Sequence, residues 1–354
     1  MYMYLYIQCY AVFLLINISA FLFQPKMSMK DKVCIVTGAT RGIGRGIALQ
    51  LGENGATVYI TGRTLKAASD ARLPGSLEDT KAEIEARGGV CIPVQCDHKN
   101  DDTVKALFEK VAREQNGRLD VLVNNVFSAF ELITSNVGVP FWELPDSAYD
   151  DLNAVGLRNH YMCSVLAARL MVPRKTGLIV NVSSSGGLMP MFNPPYGIGK
   201  EGCDRMAADC ALELQKHNVA FISLWPLIVH TEGSKFVLGD PVISAKMAEM
   251  SGVSEAIVKA NYQYGESVEY AGKCVVYLAN DKDVMKKSGK IHITGDLGDY
   301  YGFRDVDGRK PLNIRRVNCL LRFLPTWASW TANLVPDFVK IPSWIISFAG
   351  HKLN

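Results

Sequence analysis

Short apolar runs of strand type recur through the middle of the chain, and stretches of helical spacing lie between them. Residues 32–36 form one such run, a glycine-rich turn occupies residues 37–44, and a helical pattern continues through Leu51. A second run at residues 57–60 leads into Thr61, Gly62 and Arg63. Residues 121–125 make a further run, and residues 177–182 read as a buried strand that ends in Ser183, Ser184 and Ser185. Strands alternating with helices predict βαβ crossovers, hence an α/β fold with a doubly wound parallel sheet of about seven strands. The alternation has interruptions. Arg72, Leu73, Pro74, Gly75 and Ser76 read as an insertion before or within the third helix. Residues 233–266 show no strand, only Met247, Met250, Val253 and Ile257 at roughly helical spacing.

Both ends depart from the pattern. Residues 1–23 carry no charged side chain. A helix of that length would be about 35 Å long and reach across a hydrocarbon core of about 30 Å. Lys26, Lys30 and Lys32 follow it, which by the positive-inside tendency leaves the rest of the chain in the cytosol. The same stretch also fits a cleaved signal peptide with Ile18, Ser19 and Ala20 at the processing site, or translation from Met27 or Met29. At the other end, residues 313–354 hold three of the five tryptophans and five basic side chains against Asp337 alone. The net charge of +3 is therefore a property of this tail, and the preceding residues sum to −1. Basic residues mixed with tryptophan and phenylalanine suit a lipid headgroup boundary. Pro325, Pro336 and Pro342 cut the tail into pieces too short to span a bilayer, so it would lie on a membrane or fold back on the domain.

Composition narrows the class further. With 48% hydrophobic and 21% charged residues the chain is globular, neither disordered nor collagenous, and its small charge speaks against nucleic-acid binding. The nine cysteines are odd in number and form no Cys-x-x-Cys or Cys/His cluster. Reduced, mostly buried thiols are expected, without a metal site.

The turn at residues 37–44 sits where a strand meets a helix, which is the context a dinucleotide-binding loop needs. Gly38 permits the tight turn, Gly42 lets backbone N–H groups approach a pyrophosphate, and Gly44 allows close packing of a helix whose N-terminus favours anions. Farther along, Tyr196 and Lys200 are four residues apart and share a helix face. A phenol of pKa about 10 is too weak an acid for fast proton exchange near neutral pH, and a nearby cation lowers that value.

Taken together these motifs resemble the short-chain dehydrogenase/reductase family over roughly residues 30–295. The glycine turn has its TGxxxGIG spacing, which adds Ile43 to the cofactor contacts. Asn124 and Asn125 resemble the end of its fourth strand, Cys96 and Asp97 its adenine-contacting site, and Tyr196 with Lys200 its YxxxK. The resemblance implies a Rossmann-type single domain and a nicotinamide cofactor. Where an acidic residue usually accepts the ribose hydroxyls of NAD, this chain has Gly62 and then Arg63, which favours NADP(H), and Arg41 adds a second cation for the 2′-phosphate. Tyr196 would protonate the substrate oxygen, and Lys200 would hold the nicotinamide ribose and tune the tyrosine. A serine hydroxyl would hold the carbonyl: Ser184 is the candidate, with Ser183 the alternative. Ile228 and Thr231 occupy positions that meet the carboxamide and phosphate portions of the cofactor.

Several residues depart from the family pattern. Gly156 falls where the family has a helix asparagine, with Asn153 and Asn159 close but out of register. Val126 and Phe127 stand for Ala-Gly, and Leu227 for a glycine after Pro226. Segments such as residues 191–196, 223–226 and 303–309, with the tryptophan tail, resemble a membrane-associated branch of the family. They imply an NADPH-dependent reductase of steroid and xenobiotic carbonyls at the endoplasmic reticulum membrane, its domain facing the cytosol. The expected organisation is a hydrophobic segment at 1–26, a reductase domain at 30–295 and an aromatic extension at 296–354. A small lipophilic carbonyl substrate, a membrane surface and a second copy of the chain are the expected partners. A catalytically impaired cofactor sensor or membrane scaffold, and an NAD-dependent alcohol dehydrogenase, are the rival readings.

Overall fold

The computed structural model describes residues 27–67, 72–251, 254–324 and 326–349. The expected anchor at residues 1–26 and Val253 lie outside the described residues. The strands are β1 (Val33–Val36), β2 (Thr57–Gly62), β3 (Val90–Gln95), β4 (Val121–Asn124), β5 (Gly177–Val182), β6 (Val219–Trp225) and β7 (Ile291–Ile293). They pair in parallel throughout, in the order β3-β2-β1-β4-β5-β6-β7. This is the doubly wound sheet that the alternating pattern predicts, and the strand order reverses between β1 and β4. Pro93 sits in β3 because that strand is an edge and needs no second ladder of hydrogen bonds.

The principal helices are α1 (Gly42–Glu53), α2 (Leu77–Ala86), α3 (Asp101–Glu114), α4 (Asn159–Met171), α5 (Pro194–Leu214), α6 (Glu232–Gly239), α7 (Pro241–Ser251), α8 (Glu255–Tyr262), α9 (Tyr270–Asn280) and α10 (Thr294–Tyr301). They cover both faces of the sheet. On one face Ile47, Leu51, Val275 and Leu278 of α1 and α9 cluster with Cys34, Val36 and Val58. On the other, Val104, Phe108, Cys163 and Ala207 of α3, α4 and α5 cluster with Ile35, Leu122 and Ile179. Strands covered on both sides must be apolar along their whole length, and β1 and β4 are buried at every position. Cys34, Cys91, Cys96, Cys163, Cys203, Cys274 and Cys319 are buried free thiols, as their sequence context implied.

The boundary expected at residue 295 falls inside α10, whose Leu297 belongs to the core. The extension folds back on this helix. Arg315 and Lys340 pair with Asp296, while Arg316 and Lys340 pair with Asp299. The Arg316 side chain is only 3% exposed. These cations, read from the sequence as partners for lipid headgroups, are instead turned inward, because α10 offers them a carboxylate pair. Among the described residues no helix is long and apolar enough to cross a membrane.

Candidate active site

A cleft of about 1520 Å³ opens beyond the C-terminal ends of the strands, at the point where the sheet order reverses. The glycine turn forms its floor. Gly38 has φ +69°, and a β-carbon there would stand 2.6 Å from Val126 Cα. At position 44 a β-carbon would overlap both Asn125 Nδ2 and the Gly38 carbonyl oxygen, so only glycine lets α1 start this close to β1 and β4. Asn125 lines the cleft, but its amide donates to Thr37 O and Gly38 O at 2.9 and 3.0 Å, so its side chain clamps the turn. Ile43 also lines the cleft.

At the end beside β2, Arg41 and Arg63 both line the cleft. Arg41 donates to Pro74 O at 2.9 Å and Gly75 O at 3.3 Å, which gives the 72–76 segment a role that the sequence did not reveal. Burial pushes the Arg41 guanidinium below its usual pKa; Glu232 opposes the shift and Arg63 adds to it. Among the described residues the Arg63 guanidinium has no hydrogen-bond or ion-pair partner. Asp97 is exposed on the cleft wall and accepts from Lys99 N at 3.0 Å. Behind it, His98 is buried between Thr61 Oγ1 and Asn159 Oδ1, each at 2.7 Å, and burial lowers its pKa to about 4.

On the opposite wall α5 begins. Asn193 caps it by accepting from Tyr196 N at 3.0 Å, and Pro194 and Pro195 open the first turn, where a missing N–H costs nothing. This fixes Tyr196 in the first turn and Lys200 one turn on, both facing the cleft. The Tyr196 ring is held edge-on by Phe127 and Phe192, with centroids 6.0 and 4.9 Å away. Lys200 Nζ donates to Val182 O at 3.1 Å and lies 5.3 Å from the Phe127 ring centre.

The two candidate serines are held differently. Ser183 is buried and donates to Lys200 O at 3.1 Å. Ser184 Oγ accepts from Gly186 N at 3.0 Å. A β-carbon on Gly186 would lie 2.5 Å from Tyr196 Cε1 and 3.3 Å from Ser184 Oγ, so the two side chains flank one backbone point. Asp204, one turn beyond Lys200, accepts from Ser223 Oγ and Trp225 Nε1 at 2.5 and 3.0 Å and ties α5 to β6.

Gly156 lies in a π-helical turn, Ala154–Arg158, that leads into α4. A β-carbon at 156 would stand 3.2 Å from Phe127 Cδ2. The glycine at 156 and the phenylalanine at 127 are thus one coupled departure from the family pattern: the ring fills space that an asparagine would need. Asn153 donates to Pro195 O at 3.0 Å and Asn159 accepts from His98; among the described residues neither bonds to Lys200. His160, which the sequence did not single out, is buried with Nε2 3.1 Å from Val126 O. Burial, and then Lys200, lower its pKa to about 3, so it stays neutral.

Ile228 and Thr231 line the cleft near α6, with Thr231 Oγ1 committed to capping that helix through Ser234 N. Leu227 N donates to Glu266 Oε1 at 2.9 Å. Sequence reasoning also missed Glu232, whose Oε2 accepts from Gly42 N at 2.9 Å across 190 positions of chain. It likewise missed the contribution of the extension, which brings Leu312, Ile314, Cys319 and Phe323 to the cleft. Among the described residues no cluster of three or more His, Cys, Asp or Glu could hold a metal ion. The glycine floor, the α1 N-terminus, where only the Glu232 carboxylate stands in for an anion at Gly42 N, and the two arginines do fit a dinucleotide.

This turn, sheet and Tyr/Lys helix are those of a short-chain dehydrogenase, and residues 32–239 match the family model of that description, so the chain belongs to this family of nicotinamide-dependent oxidoreductases. It is similar to the mouse protein called dehydrogenase/reductase SDR family member 1, with 46% identity over 92% of this chain and 98% of that one. The human protein of the same name matches equally, at 46% identity over the same shares. Among solved structures, a metagenomic short-chain oxidoreductase in complex with NADP superposes with a TM-score of 0.55 at 26% identity, covering 76% of this chain and 97% of that one.

Proposed function

We propose that the protein is an NADP(H)-dependent carbonyl reductase acting on lipophilic ketones or aldehydes. The observation that carries this reading is the convergence of Ser184, Tyr196 and Lys200 on a cleft whose other end holds Arg41 and Arg63. Gly38, Gly42, Ile43 and Gly44 would cradle the pyrophosphate, Asp97 would contact the adenine, and Ile228 and Thr231 would meet the nicotinamide end. Asn125 holds the turn in shape. Two cations close enough to repel one another favour an anion between them, which supports the 2′-phosphate of NADP. An acidic side chain at position 62 would find its β-carbon 2.7 Å from Thr40 Cγ2, so the usual ribose acceptor has no room here. The NADP reported in the metagenomic relative points the same way.

A bound nicotinamide cofactor supplies the hydride. Ser184 Oγ donates a hydrogen bond to the substrate carbonyl oxygen and holds it against the Tyr196 hydroxyl. Tyr196 delivers its proton to that oxygen as negative charge develops there. The Lys200 ammonium stabilises the phenolate left behind. Phe127 and Phe192, packed edge-on against it, keep the Tyr196 ring from turning away. The test is NADPH and NADH oxidation with a panel of ketones. Preferential use of NADPH, reduced about tenfold or more in Arg63→Ala, is expected. Equal or better use of NADH would overturn the cofactor assignment, and tight NADPH binding without any turnover would favour a sensor or scaffold.

We also propose attachment to a membrane surface, the endoplasmic reticulum being the expected one, with the domain on the cytosolic side. Exposed Trp330, Phe338 and Trp344 on the extension support it. Co-sedimentation with phosphatidylcholine vesicles is expected, and its absence would refute the attachment.

A further inference from the structure

The extension does more than cover the domain. Helix α10 carries Asp296 and Asp299 on one face, and Arg315, Arg316 and Lys340 close on them. Asn313, fully buried, donates to Asp296 Oδ1 at 2.9 Å, and its Cβ would lie 2.9 Å from a β-carbon on Gly295. Arg316 Nη1 donates back to Pro311 O at 3.2 Å, and Leu312 N donates to Tyr264 O at 2.9 Å. Val317 N to Val339 O and Ile341 N to Arg315 O, at 3.0 and 2.8 Å, pair the two halves of the extension. The segment is therefore fixed at many points, and what it presents to the cleft is a set position rather than a loose tail.

We infer that this clamped segment, through Leu312, Ile314, Cys319 and Phe323, is the outer wall of the substrate site and selects uncharged carbonyl compounds with long or bulky apolar bodies. Every side chain that α7, α8 and the extension bring to the cleft is uncharged, and Met247, Met250 and Val258 face the cleft together with the extension. The Ser244 and Tyr262 hydroxyls are the polar exceptions and are already engaged by Glu255 and Ser234, so a sugar or a carboxylate substrate would leave most of its polar groups without partners against these residues, which is a strong basis for rejection. Asp296 and Asp299 pair with the extension without lining the cleft.

The inference rests on the carbonyl-reductase reading, and its test separates the two. Phe323→Ala opens the wall at a partly exposed position, and Ile314→Asp places a charge in it. With 2-undecanone and butanone as probes, each variant is expected to raise KM for 2-undecanone by roughly tenfold while leaving butanone and the NADPH Kd within about twofold. The second readout needs no turnover: the rise in Tm that 2-undecanone produces in the presence of NADP is expected in the parent and lost in both variants. A parent that shows this rise without reducing any ketone supports the wall and sinks the chemistry. Unchanged KM in both variants, or no Tm rise in the parent, overturns the wall.

Discussion

Gly156→Asn restores the residue type common to the family, and the structure makes it a destabilising change. The new β-carbon would stand 3.2 Å from Phe127 Cδ2 and 3.5 Å from Cε2, with the carboxamide reaching farther toward the ring. Overpacking of this kind costs about 1–3 kcal/mol. Replacing a helical glycine returns about 0.3 kcal/mol, so a net loss of about 0.7–2.7 kcal/mol is expected. Phe127 is 36% exposed, so Phe127→Ala should cost less than the ~3–5 kcal/mol of a fully buried ring. In the double variant the carboxamide occupies the space the ring vacates, and the combined loss should fall short of the sum by about 1 kcal/mol or more. Urea unfolding of the four proteins, followed by tryptophan fluorescence at constant m, measures this coupling. Losses that add within about 0.5 kcal/mol would refute the pairing of these two positions. The ring also flanks Tyr196 and Lys200, so Gly156→Asn alone should lower kcat, with part of the loss recovered in the double variant.

Other expectations concern carboxylates near the cleft. Glu232 accepts from Gly42 N, the N–H that a pyrophosphate would use, so Glu232→Gln should tighten NADPH binding by about three- to tenfold in calorimetric titration. Unchanged or weaker binding would contradict that competition. Burial raises the Glu266 carboxyl to about 8. A raised acid binds more protons folded than unfolded, so its contribution to stability is lost as pH climbs from the ordinary glutamate range toward 8. The parent should therefore lose stability over that interval in denaturant melts, and Glu266→Gln should flatten the dependence; identical slopes would count against it.

Much of the fold was legible because strands buried on both faces must be close to continuously apolar, as β1 is throughout and β5 is apart from Asn181. The cofactor end was legible for a similar reason: a strand, a glycine turn and a helix must be contiguous in sequence to form it. What escaped depends on contacts between distant positions. Glu232 meets Gly42, and Phe127 meets Gly156, through folding alone. The π-helical turn Ala154–Arg158 shifts register without altering apolar periodicity, so spacing arguments around Asn153 and Asn159 had no fixed reference. Ser183 and Ser184 are adjacent in sequence, and their different partners, Lys200 O of α5 for one and Gly186 N for the other, depend on where α5 packs. Three cations of the extension, Arg315, Arg316 and Lys340, find partners in Asp296 and Asp299 just past the last strand, a pairing that composition alone does not show.

The central claim is that Tyr196 is the proton donor of a carbonyl reduction. The direct measurement is kcat for NADPH-dependent reduction of a lipophilic ketone by the parent and by Tyr196→Phe, with the NADPH Kd determined for both. Loss of the hydroxyl should lower kcat by about 10²–10⁴-fold and leave the Kd within about twofold. A phenylalanine variant as active as the parent would contradict the account.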